Sequence, residues 1–252
     1  MSALNQITYI GHATLLLDMD GVRLLTDPLL RERVFHLHRR SKPVSPSLYQ
    51  DVDAVLISHM HWDHLDISSL RLLGRETPLI VPAGAAALLY KKGFSKIEEM
   101  RAGETTKVGA LSIKATYAEH QSKYPLSGLS SESLGYLISG SKSVYFAGDT
   151  DIFPGMADLA GNLDIALLPV WGWGPNLGPG HMNPERAAQA LTLLHPHIAI
   201  PIHWGTFYPQ FLGWFRGSLM VEPPQLFLQE AVRRLPQVEV HILHPGESFS
   251  FT

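Results

Sequence analysis

"SHMHWDHLD", residues 58–66, sets three histidines and two aspartates directly after the apolar run "AVLI" at 54–57. Turns after strands usually draw on Ser, Asn, Gly and Asp, so this density of imidazole and carboxylate asks for another purpose. His59 and His61 are two apart, and in extended backbone they project to one side. Asp63 and His64 follow at once. Adjacent residues in a turn point in different directions, which suits donors divided between two cations. One tetrahedral metal uses three or four ligands, so the remaining donors belong at other strand ends. Three candidates meet that condition: His120 closing "ATYAEH", Asp149 closing "VYFAGD" and His203 closing "IAIPIH". A rigid sheet edge is where such side chains can be held in a fixed geometry.

The rest of the composition narrows the field. The 252 residues include no cysteine, which removes disulfides, thiolate ligands and cysteine nucleophiles together and leaves His and Asp as the metal donors. A formal net charge of −3 argues against a general nucleic-acid or anionic-membrane binder. The start "MSALNQITYIGHATLLLD" lacks a basic region and an unbroken apolar core, so it does not read as a signal peptide, and no apolar run approaches a membrane span. A soluble, cytoplasmic protein is the expectation.

Strands are predicted at "ITYIG", "ATLLLD" and "VRLLTD", the last two joined by the turn "MDG". "VDAVLIS" reads as a strand buried on both faces. "ALSIKATYAEH", "HIAIPIH", "VEVHIL" and "SFSF" complete the strand set. Helices are predicted at "DISSLRLL", at "GAAALLYKKG" ending at Gly93, at "NPERAAQALTLLH" with Asn183 as N-cap, and at "PPQLFLQEAVRRL". Residues 12–28 echo residues 132–150: each is a strand, a Gly-containing turn, a second strand, then an aspartate. One domain over 1–252, made of two related halves that meet near 110–130, is the expected organisation.

The full pattern, H-x-H-x-D-H followed in order by His, Asp and His at strand ends, resembles the metallo-β-lactamase superfamily of hydrolases over essentially the whole chain. The phrases "YIGHATLLLD", "FAGDTD", "HMNPERAAQA" and "IHWGTF" are similar to the branch containing N-acyl-phosphatidylethanolamine phospholipase D and the ascorbate-phosphate lactonases. The resemblance implies an α/β fold, a four-layer αβ/βα sandwich with two central mixed β-sheets and helices outside. It implies that His59, His61 and His120 hold one metal, that Asp63, His64 and His203 hold another, and that Asp149 bridges both. Two divalent cations are implied; the imidazole-rich set favours zinc, and manganese or iron can use the same ligands. It also places a functional histidine at His181, whose competing reading is a helix cap. His12 and Asp27, in the opening phrase, are expected to orient ligands through hydrogen bonds.

The expected activity is metal-dependent hydrolysis of a phosphoester, phosphodiester-like, by a hydroxide held between the metals, with Asp63 orienting it and accepting a proton. A lactonase is the nearest alternative, and a metal-bound scaffold without turnover is the alternative of another class. The substrate is expected to be a small or lipid-like anion. "RERVFHLHRRSK" at 31–42 reads either as a solvated loop or as a cationic rim for that anion. "VWGWGP" at 170–175 reads as pocket wall or packed loop. The apolar segment 207–220 reads as a lid, an acyl groove or a homo-oligomer contact.

Overall fold

The computed structural model describes residues 4–123, 130–172, 177–209 and 220–252. Two seven-stranded sheets dominate it. The first has the spatial order β19 (Ser248–Phe251), β1 (Asn5–Gly11), β2 (Thr14–Met19), β3 (Val22–Thr26), β6 (Ala54–Leu56), β7 (Leu79–Pro82) and β8 (Ile97–Met100). The second runs β18 (Glu239–Val240), β16 (Ile198–Ile202), β15 (Ile165–Pro169), β14 (Ser143–Phe146), β13 (Leu134–Ser139), β10 (Leu111–Tyr117) and β9 (Thr105–Val108). In each, an antiparallel hairpin (β2–β3, β13–β14) leads into parallel strands (β6–β7–β8, β15–β16–β18). The "MDG" turn of the first hairpin carries Asp20 at φ 53° and Gly21 at φ 78°, the left-handed pair that a two-residue hairpin requires. Two accessory ladders join β11 (Ser122–Lys123) to β12 (Ser130–Ser131), and the hairpin of β4 (Arg33–Val34) and β5 (Leu37–Arg39) to β17 (Phe207–Pro209).

Period-two alternation explains why the sheets stack. Leu15, Leu17, Leu24 and Leu56 share one core with Ile113, Tyr136, Ile138 and Phe146 of the second sheet. Their neighbours Leu16, Leu25, Val55 and Ile57 face the other way, into a separate core. That outer core is closed by α1 (Ile67–Leu73) and α2 (Ala86–Lys91) through Leu70, Leu88 and Leu89. On the far side, α3 (Pro184–Leu194) and α4 (Glu222–Arg234) bury Ala187, Ala188, Leu191, Phe227 and Ala231. The result is the helix–sheet–sheet–helix sandwich of the metallo-β-lactamase fold.

The predicted cap of α3 is present: Asn183 accepts the Arg186 N–H. At the start of α1, Asp66 accepts the Ser69 N–H in the same way. Gly93 follows α2 at φ 91°, a conformation that favours glycine after a helix. One expectation was too long: of "VEVHIL", only Glu239–Val240 forms strand. The N–H groups of Glu239 and His241 reach the carbonyls of His197 and Ala199 in β16. The next residue of β16 on that side is Pro201, which has no N–H to return, and the ladder stops.

Candidate metal centre

Every residue singled out by the sequence as a metal ligand or its orienting partner follows a strand end, whereas His181 lies in the loop before α3. His12 follows β1, Asp27 follows β3, residues 58–64 follow β6, His120 follows β10, Asp149 follows β14 and His203 follows β16. Backbone bonds lock the loops to one another. His203 N–H donates to the His12 carbonyl at 2.7 Å, Leu134 N–H to the Ser58 carbonyl at 2.9 Å, and Asp151 N–H to the Glu119 carbonyl at 3.1 Å. His12, Asp27 and His203 all take positive φ, at 60°, 33° and 65°, a conformation that non-glycine residues adopt only when their surroundings impose it.

The ring partners settle the tautomers. Asp27, fully buried, accepts from the Ser58 backbone N–H at 2.7 Å, from the Ser58 hydroxyl at 2.5 Å and from His64 Nδ1 at 2.7 Å. Because the Ser58 proton goes to Asp27, the Ser58 oxygen is free to accept from His59 Nδ1, 2.9 Å away. His120 Nδ1 donates to the Gly180 carbonyl at 2.9 Å. His59 and His120 therefore carry their proton on Nδ1 and turn a bare Nε2 lone pair inward, and His64 also carries a proton on Nδ1. Other ring nitrogens stand close by. His61 Nδ1 lies 3.0 Å from His59 Nε2 and 3.1 Å from His120 Nε2, and His64 Nε2 lies 3.2 Å from His203 Nε2. A tetrahedral ion about 2.0–2.1 Å from each nitrogen gives ligand edges of roughly 3.3 Å. The spacing fits a shared cation.

The donors form overlapping groups whose atoms lie within 4.8 Å of one another: His59, His61 and His120; His12, Asp63, His64 and His203; Asp27, His59 and His64; and His120, Asp149 and His181. Asp149 also approaches the second of these. Its Oδ1 is 3.3 Å from His203 Nε2, and its Oδ2 is 3.3 Å from His64 Nε2 and 3.5 Å from His181 Nε2. Oδ1 is buried and accepts no hydrogen bond from the described residues, an expensive state for a carboxylate oxygen that a cation would relieve. His12 donates from Nε2 to Asp63 at 3.0 Å, which orients that carboxylate as expected.

Electrostatics prepares the same residues for ligation, which requires neutral imidazole and ionised carboxylate. Burial lowers His61 to about 4 and His203 to about 3, and it pushes His59 and His120 down as well. Burial opposes charge on Asp63 and Asp149 too. There the surrounding rings win, led by His64 for Asp63 and by His203 for Asp149, and both carboxyls are held below their usual range. His64 is the exception: burial opposes its charge, but Asp149, Asp63 and Asp27 together raise it.

His181 is placed differently from a cap. Asn183 caps α3, while His181 donates from Nδ1 to the Pro179 carbonyl at 3.2 Å and packs edge-on against His120, with ring centroids 4.6 Å apart. Its side chain keeps 24% of its surface exposed, so it fronts the buried donors on the open side. Ser58 was not foreseen, although it lies within the quoted stretch. It is the link through which Asp27, which holds His64 directly, also orients His59.

The cationic reading of 31–42 is half consumed by structure. Arg31 makes a two-pronged pair with Asp66 at 2.9 and 2.7 Å, and buried Arg39 donates to the Leu29 and Ile10 carbonyls under the Phe207 ring. Arg33, Arg40 and Lys42 remain exposed. At the tip of that hairpin Phe35 packs edge-on against Trp62, with centroids 5.0 Å apart. Trp171 is buried and stacks on Tyr208; Trp173 lies outside the described residues. Of segment 207–220, Phe207 and Tyr208 are buried core, whereas 210–219 lie outside the described residues. Among the described residues no helix is long and apolar enough to cross a membrane.

Comparison with known proteins places this geometry. A family profile described as the beta-lactamase superfamily domain matches residues 22–204. The chain is 34% identical to a UPF0173 metal-dependent hydrolase of Methanopyrus kandleri, over 97% of this chain and 99% of that one. It is 33% identical to a UPF0173 metal-dependent hydrolase of Deinococcus radiodurans, covering 96% and 98%. Among solved structures, a metallo hydrolase from the hyperthermophilic archaeon Ignicoccus hospitalis superposes with a TM-score of 0.73 at 25% identity, over 99% of each chain.

Proposed function

The chain belongs to the metallo-β-lactamase superfamily, among its UPF0173 metal-dependent hydrolases, and from that premise we propose a binuclear, zinc-favouring enzyme that hydrolyses phosphoesters. In this reading His59, His61 and His120 hold one ion, Asp63, His64 and His203 the other, and Asp149 spans both. The observation that carries it is Asp149: its oxygens lie 3.3 Å from His64 and His203, it also groups with His120, and its Oδ1 takes no hydrogen bond from the described residues. The same proposal treats 1–252 as one domain of two related halves, supported by the repeated order of hairpin and parallel strands. The phrases "HMNPE" and "HWGTF" support kinship with the phospholipase-like branch.

Divalent cations bound there supply Lewis acidity and bring the pKa of water toward neutrality. The chain supplies the rest. Asp63, kept ionised by the surrounding rings and aimed by His12, orients the attacking water and takes its proton. His181 faces the reacting group. Its Nδ1–H is given to the Pro179 carbonyl, and its Nε2 lies 3.5 Å from Asp149 on the open side of the donors.

Elemental analysis of metal-loaded protein, combined with a panel of phosphodiester, phosphomonoester and lactone substrates, tests the proposal. Two ions per chain and a preference for phosphoesters are expected. A stoichiometry that stays at one in excess metal removes the bridging role of Asp149, and turnover of lactones alone removes the phosphoester assignment.

A further inference from the structure

A groove of about 450 Å³ opens beside His181 and runs between the first turns of α3 and α4. Its walls are Trp171, Leu177, Pro223 and Leu226, and Arg186 sits at one side. That volume is in the range of small-molecule pockets, roughly 300–1,000 Å³. Leu226 is 48% exposed within it. An aliphatic side chain left in water on a concave wall gains by being covered.

Two observations say what covers it. The first is continuity: His181 lines the groove and also lies 3.5 Å from Asp149, so a molecule reacting at the donor cluster has the groove as its adjacent space. The second is charge. Arg186, the one cation among the groove's described lining residues, is already paired with Asp151 at 2.6 Å, and Glu222 stands on the rim. Nothing there rewards a second anionic group. We infer that the groove seats an uncharged, apolar portion of the substrate, an alkyl chain or a ring, joined to the anionic group held at His181. This rests on the hydrolase reading above and adds a substrate class: amphiphilic esters with one anionic head.

The test is a chain-length series. Zinc-loaded protein is titrated calorimetrically with n-alkylphosphonates from ethyl to octyl, and in parallel with n-alkylcarboxylates of the same lengths. Affinity is expected to rise about threefold per added methylene while the groove fills. Leu226→Glu, at a half-exposed position, should flatten the octyl-to-ethyl ratio, and Leu226→Ala should give an intermediate ratio. Affinity that does not grow with length for either head group overturns the inference, as does an unchanged ratio in Leu226→Glu. A shift of Leu226→Glu to a smaller species in light scattering overturns it too, because the groove would then be covered by a second copy of the chain. Length dependence with carboxylates but no phosphonate binding leaves the groove standing and defeats the phosphoester assignment instead.

Discussion

His64 gives its Nδ1 proton to Asp27 across 2.7 Å, with both side chains wholly shielded from solvent. The same Asp27 oxygen takes the Ser58 hydroxyl proton, and Ser58 in turn receives His59 Nδ1. One carboxylate thus fixes which nitrogen two candidate ligands present. Asp27→Asn replaces an acceptor oxygen with a donor, so either Ser58 or His64 then faces an N–H. Outer hydrogen-bond partners of metal-binding histidines are typically worth about 10- to 100-fold in metal affinity. A loss of that size is expected in chelator-competition titrations of Asp27→Asn. Wild-type affinity would mean that these rings are oriented by packing alone.

Gly148→Ala is expected to destabilise the fold by about 1–3 kcal/mol, a usual cost for a residue held in a sparsely populated backbone region. Gly148 has φ 60°, and a Cβ there would lie 2.6 Å from the Ser58 Cβ. Relief requires the 58–64 loop or Asp149 to move. Urea unfolding reads the stability, and metal titration of the same variant reads the displaced donors. A variant as stable as the parent and equally able to take up metal would show that the two loops are not tightly apposed.

Much of this was legible because the chemistry is written at strand ends. Alternating "TLLLD" and unbroken "AVLI" mark the strands, and His or Asp at their last positions can serve little except a shared cleft. The caps were legible for the same local reason: Asn183 and Pro184 act within one turn. Less visible were roles decided by distant partners. Arg39 looks like surface charge until β5 pairs with β17 and the guanidinium finds three-dimensional neighbours at Ile10, Leu29 and Phe207. Ser58 is an ordinary residue in sequence. Only the return of β3 beside β6 brings Asp27 to its hydroxyl.

The metal-free protein should lose stability in mild acid. Histidine in the unfolded chain protonates near 6.5, whereas in the fold His61 waits until about 4 and His203 until about 3, and His59 and His120 are also lowered. Between those values the unfolded chain binds more protons, so stability falls as the pH falls. His64 is shifted the other way, so below 6.5 it is protonated in both states and adds no slope. Urea midpoints of chelator-treated protein are expected to drop steadily from pH 7 to pH 5. A flat or rising midpoint would show that these rings are solvated in the metal-free state.

His181 offers the sharpest division between structure and chemistry. Its one hydrogen bond among the described residues is a 3.2 Å contact to the Pro179 carbonyl, and Asn183 already caps α3. Truncating it should therefore change stability by no more than about 0.5 kcal/mol, the usual range for a surface change. Its Nε2 nevertheless lies 3.5 Å from Asp149, on the exposed side of the donors, where charge would build on a phosphoester oxygen. Removing a donor to such charge typically costs about 10²- to 10³-fold in turnover. His181→Ala is expected to show that fall in kcat, with KM changed less and with metal content and urea midpoint close to the parent. The combination matters more than the rate alone. Lost metal would make His181 part of the ligand set, through its grouping with His120 and Asp149, and unchanged kcat would leave it an ornament of the loop before α3. Only a slow enzyme with its full complement of metal supports a histidine that acts on the substrate itself.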